Sequence, residues 1–151
     1  MREYLAQEAG GPDHGAVLVD TSIWIGASRR PASAEADELR ALLERDEVAT
    51  TEVVVAEVLQ GARKREDFDS LADKLEALHF FSADRAIWQK AALFSMELRN
   101  QGLITPLSDL VIAAVALEND LSVYAADEHF NRVAGLRLHQ PRNYVVRRKD
   151  N

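Results

Sequence analysis

Ala16-Val17-Leu18-Val19 is an unbroken apolar run, set off by the breaker cluster Gly10-Gly11-Pro12-Asp13-His14-Gly15 on one side and Asp20 on the other. A run that short predicts a strand covered on both faces. The spacing then turns helical, over Ile23 to Ala27 and over Ser33 to Arg45, where Leu39, Leu42 and Leu43 form one stripe. The charges of that second helix (Glu35, Glu38, Arg40, Glu44, Arg45) fall on what reads as its wet face. Val48-Ala49-Thr50 predicts a strand, with Thr50 or Thr51 placed to cap a helix from about Glu52 to Ala62. Further helices are expected over Glu66 to Leu78, over Asp84 to Asn100 closed by Gly102, and from Pro106 and Ser108 to Asn119. Strands are expected at Phe80-Phe81, Leu121 to Ala125 and Leu136 to Leu138, with a helical turn at Asp127 to Asn131. Short apolar strands alternating with helices predict an α/β fold, a three-layer parallel sheet with helices on both faces. Such sheets bind ligands beyond the carboxyl ends of their strands.

Length fits one domain: 151 residues, read as a loosely held leader over 1–15 and a single domain over 16–151 with a short basic tail. The longest apolar run, Leu110 to Leu117, is eight residues, far short of the roughly 20 that span a bilayer. Residues 1–15 lack the apolar core of a signal peptide, so a cytoplasmic protein without a membrane anchor is expected. The absence of cysteine removes thiol nucleophiles, Cys-ligated zinc and iron–sulfur clusters. A net charge of −7 argues against simple nucleic-acid binding, although the stretch from Arg142 gathers Arg142, Arg147, Arg148 and Lys149 against Asp150.

Four acids stand where acids are costly or well aimed. Asp20 and Asp127 each follow a predicted strand, where a helix cap is the simple explanation. Glu57 sits in Val53-Val54-Val55-Ala56-Glu57-Val58-Leu59, a helix that reads as apolar on every face. An isolated carboxylate in such a helix costs several kcal/mol unless an arginine or a metal ion meets it. Asp109 opens the other apolar helix, where the dipole favours it, while Ser108 is free to serve as the cap. The four are 37, 52 and 18 residues apart, on four different elements. Only tertiary folding can bring them together. Convergence would raise their pKa values and collect a cation, and oxygen-only ligands select Mg²⁺ or Mn²⁺ over zinc.

Val19-Asp20-Thr21-Ser22, Val55-Ala56-Glu57-Val58, Ser108-Asp109-Leu110-Val111-Ile112-Ala113-Ala114 and Asp127-Glu128-His129-Phe130 together resemble the PIN-domain ribonucleases, and within them the VapC-type toxins of bacterial toxin–antitoxin pairs. The resemblance runs from about residue 16 to 140. It implies that Asp20, Glu57, Asp109 and Asp127 are the catalytic and metal-binding acids, with Mg²⁺ as cofactor and Mn²⁺ as a substitute. Thr21 or Ser22 would supply a hydroxyl beside the reacting water or cap the helix. The chain departs from the pattern at Ala125, where the family usually has Thr or Ser, and at His129, where some members have a further acid. His129 would touch substrate or simply pack. The implied function is an endoribonuclease toxin cutting structured RNA, tRNA or rRNA, partnered by a VapB-type antitoxin and forming a homodimer. Because an acidic pocket repels RNA, basic residues are expected on its rim, with Arg29, Arg30, Arg63, Lys64 and Arg65 the candidates. Trp24 and Trp88 read as packing residues before base-stacking ones.

Two other functions fit the same chain. One is a non-catalytic PIN-like module that binds RNA or protein. The other is an aspartate-based phosphatase or receiver-like domain, which needs an Asp pair that Asp20-Thr21-Ser22 and Val17-Leu18-Val19 do not supply.

Overall fold

The computed structural model describes residues 15–142. The predicted leader and the basic tail therefore lie outside the described residues, apart from Gly15 and Arg142. In chain order the elements are β1 (Val17–Val19), α1 (Thr21–Arg29), α2 (Ala34–Glu44), β2 (Val48–Thr50), α3 (Glu52–Leu59) and α4 (Arg65–Glu76). There follow β3 (His79–Phe80), α5 (Arg85–Asn100), α6 (Leu107–Glu118), β4 (Ser122–Tyr124) and a 3-10 turn (Glu128–Arg132). Among these residues no helix is long and apolar enough to cross a membrane.

The strands pair in the order β3-β2-β1-β4, all parallel. Alternation along each strand sorts the core into two. Leu18, Ala49 and Val123 join Ile87, Ala91 and Leu98 of α5 and Leu110 to Ala116 of α6 on one side. Val17, Val19, Val48 and Tyr124 join Ile23 of α1 and Leu39 and Leu42 of α2 on the other. The sheet is thus the middle of three layers, as its sequence pattern predicts. The chain steps outward from β1 to β2 to β3 and then returns to the other side of β1 with β4. That reversal puts the topological switch point, where open parallel sheets hold their ligands, between β1 and β4.

Several boundaries differ from the sequence expectation for local reasons. Ser108 is not a cap: α6 begins at Leu107, with Pro106 in the capping position and no side-chain bond there. Thr51 occupies the cap of α3, but its hydroxyl donates to Glu52 Oε2 at 2.9 Å and leaves the helix end unbonded. The strand expected over Leu136 to Leu138 is a single bridge, Val123 to Leu138, held by the Val123 N–H to Arg137 and the His139 N–H to Val123. Gly102, at φ +80°, ends α5 as predicted, in a conformation that L side chains rarely adopt.

Two buried-face readings need correction. Only Val54 of α3 is fully buried, Ala56 is exposed, and Val53, Val55, Val58 and Leu59 are half-covered, so that helix is not enclosed all round. In α2, Glu38 is not on the wet face: it is 1% exposed and bonded to His139. Glu38 lies one turn before Leu42 and so shares the stripe that enters the core.

Candidate metal centre

The carboxyl ends of β1 and β4 are tied directly. Val19 pairs with Tyr124, and the next residue, Asp20, donates its N–H to the Tyr124 carbonyl at 2.8 Å. Asp20 then starts α1, its side chain accepting the Ser22 N–H at 3.1 Å and the Ser22 hydroxyl at 2.5 Å. Ser22 Oγ in turn accepts the Ala126 N–H at 3.2 Å, so one hydroxyl braces the first acid against the link leading to Asp127. Asp127 opens the 3-10 turn by accepting the His129 N–H at 2.9 Å. The capping role foreseen for both acids is real, and it is also what fixes their position.

Asp109 reaches the same place from α6. It lies in the first turn, and because it makes no capping bond its carboxylate is free to meet His129, with Oδ2 at 3.1 Å from Nδ1. The same ring nitrogen lies 3.0 Å from Asp127 Oδ1. Among the described residues, Asp109, Asp127 and His129 form the one group of three or more potential ligands whose donor atoms all fall within 4.8 Å of one another. Asp20 and Glu57 stand outside that tight triad.

Asp20 is electrostatically joined to it. Burial is the main cause that pushes the Asp20 carboxyl above its ordinary value, its bonds to Ser22 oppose the rise, and the charge of Asp127 adds to it. Burial also leads at Asp109; the His129 bond offsets part of the rise, and the charges of Asp20 and Asp127 add more. Mutual repulsion is therefore present, as the sequence implies, but desolvation outweighs it.

Glu57 is brought to this corner by Thr21, whose hydroxyl donates to Oε1 at 3.2 Å. Its partner is that hydroxyl and not an arginine. Because α3 is only partly covered, Glu57 is half-exposed and its charge costs less than the sequence pattern suggests. Thr21, buried next to Asp20, thus links the first strand's acid to the third helix's acid.

The predicted rim residues are scattered. Arg30 shares a cleft of about 100 Å³ with Ser22, Ser33, Glu35 and Ala126. Arg29 lines a different hollow, of about 530 Å³, with Trp24, Leu39, Val58, Ala62 and Asp67 and none of the four acids. Arg63 and Lys64 are exposed ahead of α4, and Arg65 pairs with Asp69 at 2.9 Å. Trp24 packs against both cores, as expected, whereas Trp88 is 43% exposed. A further cation, Arg132, escapes sequence reasoning. Its guanidinium donates to the Ile104 carbonyl at 3.2 Å and the Thr105 hydroxyl at 3.1 Å, pinning the turn that carries Asp127 and His129 to the loop ahead of Asp109. Nothing in its local sequence context marks it, because its partners lie about one helix earlier. Ala125, the departure from the motif, is half-buried beside Asp127 in a cleft of about 320 Å³.

The donor set suits a hard or borderline divalent cation: carboxylates from Asp109 and Asp127, an imidazole nitrogen from His129, and a third carboxylate at Asp20 close enough to feel their charge.

A profile of the PIN domain matches residues 17–136. The chain is 31% identical over 134 residues to ribonuclease VapC18 of Mycobacterium tuberculosis, covering 86% of this chain and 95% of the relative. It is 30% identical over 132 residues to ribonuclease VapC21 of the same organism, covering 85% and 93%. Among solved structures, VapBC2 of Rickettsia felis bound to a promoter DNA fragment superposes with a TM-score of 0.68 at 23% identity, covering 82% of this chain and 97% of that one. VapC20 of M. tuberculosis, described as a toxin cleaving the sarcin-ricin loop, superposes with a TM-score of 0.64 at 19% identity, covering 83% and 100%.

Proposed function

The chain belongs to the PIN-domain family, in its VapC group, and from that membership we propose that it is a divalent-metal-dependent endoribonuclease and the toxin of a toxin–antitoxin pair. The observation that carries the reading is the meeting of Asp20, Asp109 and Asp127 at the β1–β4 switch point, where the charge of Asp127 adds to the raised proton affinity of both Asp20 and Asp109 and the charge of Asp20 adds to that of Asp109.

Asp109 and Asp127 would hold the ion, Mg²⁺ or Mn²⁺, with Asp20 behind them and Glu57 on the side of α3. A divalent ion there supplies Lewis-acid activation of water and neutralises charge growing on a phosphodiester. The chain's own residues do the rest. Asp20, held by two bonds from Ser22, is kept from turning away toward solvent. Thr21 holds Glu57 by its Oε1 beside Asp20, where its carboxylate would be the base that takes a proton from the attacking water. Ser22 locks the Ala126 backbone, which sets the height of Asp127 above the sheet end. Hydrolysis by a water in line with the leaving group gives a 5′-phosphate and a 3′-hydroxyl.

The test is direct. Structured RNA mixed with the protein and Mg²⁺ or Mn²⁺ is expected to be cut internally, leaving 5′-phosphate ends, and to stay whole with a chelator. Cutting that survives chelation, or that leaves cyclic phosphates, overturns the reading. The substrate is proposed as a loop in tRNA or rRNA, a choice supported by the sarcin-ricin-loop activity named for VapC20. The partners are a cognate VapB-type antitoxin, supported by the VapBC complexes that share the fold, and a second copy of the chain, which the family resemblance implies.

Of the rim cations, Arg30 stands nearest to the corner, since it shares a cleft with Ser22 and Ala126. Arg29 lies apart from it in a hollow that holds none of the four acids, Arg63 and Lys64 are exposed ahead of α4, and Arg65 contributes least because Asp69 already faces it. Arg30→Glu is expected to weaken RNA binding and to lower the slope of log affinity against log salt by about 1. An unchanged slope removes Arg30 from the RNA path.

A further inference from the structure

His129 sits where an all-carboxylate site would have no nitrogen, and its geometry is specific. Nδ1 is 3.1 Å from Asp109 Oδ2 and 3.0 Å from Asp127 Oδ1. Donors on adjacent corners of an octahedron, each about 2.1 Å from a central ion, are separated by about 3.0 Å. Nδ1 therefore stands at ligand spacing from both carboxylate oxygens, and all three donor atoms lie within 4.8 Å of one another. The backbone that carries the ring is fixed: the His129 main-chain N–H is bonded to Asp127 Oδ1, and the turn bearing it is pinned through Arg132 to Ile104 and Thr105.

We propose that His129 is a ligand of the divalent ion through Nδ1, and that this nitrogen turns the site's preference from Mg²⁺ toward a transition ion such as Mn²⁺. The inference rests on the metal-site reading given above and adds to it the ligand count and the ion. Carboxylate and water suit Mg²⁺, whereas imidazole is a ligand of first-row transition ions. Replacing one oxygen by an imidazole nitrogen therefore costs Mg²⁺ more than it costs Mn²⁺. The local chain explains why a histidine can serve. With Asp127 capping the turn, the residue two places on is directed back over the cap, at the distance an acid in that position would also reach.

Pulsed electron paramagnetic resonance of the Mn²⁺-loaded protein reads the bond without reference to catalysis. The parent is expected to give the modulation of a directly bonded ¹⁴N, and His129→Ala to lose it. By calorimetry, His129→Ala is expected to lose about tenfold or more in Mn²⁺ affinity while Mg²⁺ affinity changes less, and His129→Asp to restore Mg²⁺ binding without the nitrogen signal. Circular dichroism of each variant establishes that it is folded. Mn²⁺ bound in the parent without a nitrogen signal, or an unchanged Mn²⁺-to-Mg²⁺ ratio in folded His129→Ala, overturns the proposal and leaves the carboxylate site intact. Mn²⁺ that binds Asp109→Asn as tightly as the parent overturns the metal-site reading itself, and this proposal with it.

Discussion

Asp109→Asn is expected to lower RNA cleavage by at least about 100-fold without weakening the fold. The size follows from its place: Asp109 Oδ2 is one corner of the tight triad, and even outer partners of metal ligands are worth about 10–100-fold. The direction of the stability effect follows from the carboxyl's raised proton affinity. A folded-state pKa above the unfolded value means that the native, ion-free protein binds protons more tightly than the unfolded chain. The charged form therefore subtracts from stability at neutral pH, and that loss is relieved as pH falls through the folded pKa. Asparagine removes the charge, so the ion-free variant should melt at or above the parent's temperature. Asp20→Asn should behave alike, since an amide oxygen can still accept the Ser22 N–H. Added Mn²⁺ should raise the parent's melting temperature, leave Asp109→Asn where it is and raise Asp20→Asn less than the parent. Melting curves and a cleavage time course check this together. Retained cleavage refutes the catalytic assignment, and a drop of many degrees in the ion-free state refutes the electrostatic account.

His139→Ala should act on stability instead. Glu38 is 1% exposed, with Oε1 2.8 Å from His139 Nε2 and Oε2 among the buried oxygens without a partner. The histidine also donates its N–H to Val123 and lies tilted against Tyr124 with 5.3 Å between ring centres. Burial, then the charges of Glu35 and Glu38, push the Tyr124 hydroxyl up to about 12, so it does not share in taking up charge at neutral pH. Removing one member of a buried pair leaves the other uncompensated at a cost of about 3–5 kcal/mol. In a chain of this size that corresponds to a melting temperature lower by about 10 °C. The double variant Glu38→Met with His139→Leu should recover most of the loss, because an apolar replacement removes the buried carboxyl as well as its partner. A single variant within about 2 °C of the parent would mean that the pair carries little.

These two sites also mark how far the sequence could be read. Asp20 and Asp127 are legible because a strand end has one position for its first polar residue, and alternating elements locate that end. Asp109 is legible from the apolar run it precedes. The layering is legible too, since Val17-Leu18-Val19 can only be a strand wanted by both faces. What escapes is set by contacts across long separations. His129 meets Asp109 twenty residues away, and His139 meets Glu38 across 101, so neither histidine's role has a local signature. Glu38 carries a hint, being one turn from Leu42, but charge alone suggests the wet face. Leu136 to Leu138 has a strand's alternation, yet only Leu138 finds a ladder partner, because β4 ends the sheet's pairing with β1 and leaves the segment a single bridge. Val53 to Leu59 is apolar beyond what the described residues cover, so composition overstates its burial.

The central claim is that Asp109 and Asp127, with Asp20 beside them, gather one divalent ion at the carboxyl ends of β1 and β4. Anomalous scattering from crystals soaked in Mn²⁺ tests it most directly. One peak is expected in contact with Asp109 and Asp127 and beside Asp20. A peak elsewhere, or none at saturating Mn²⁺, contradicts the account.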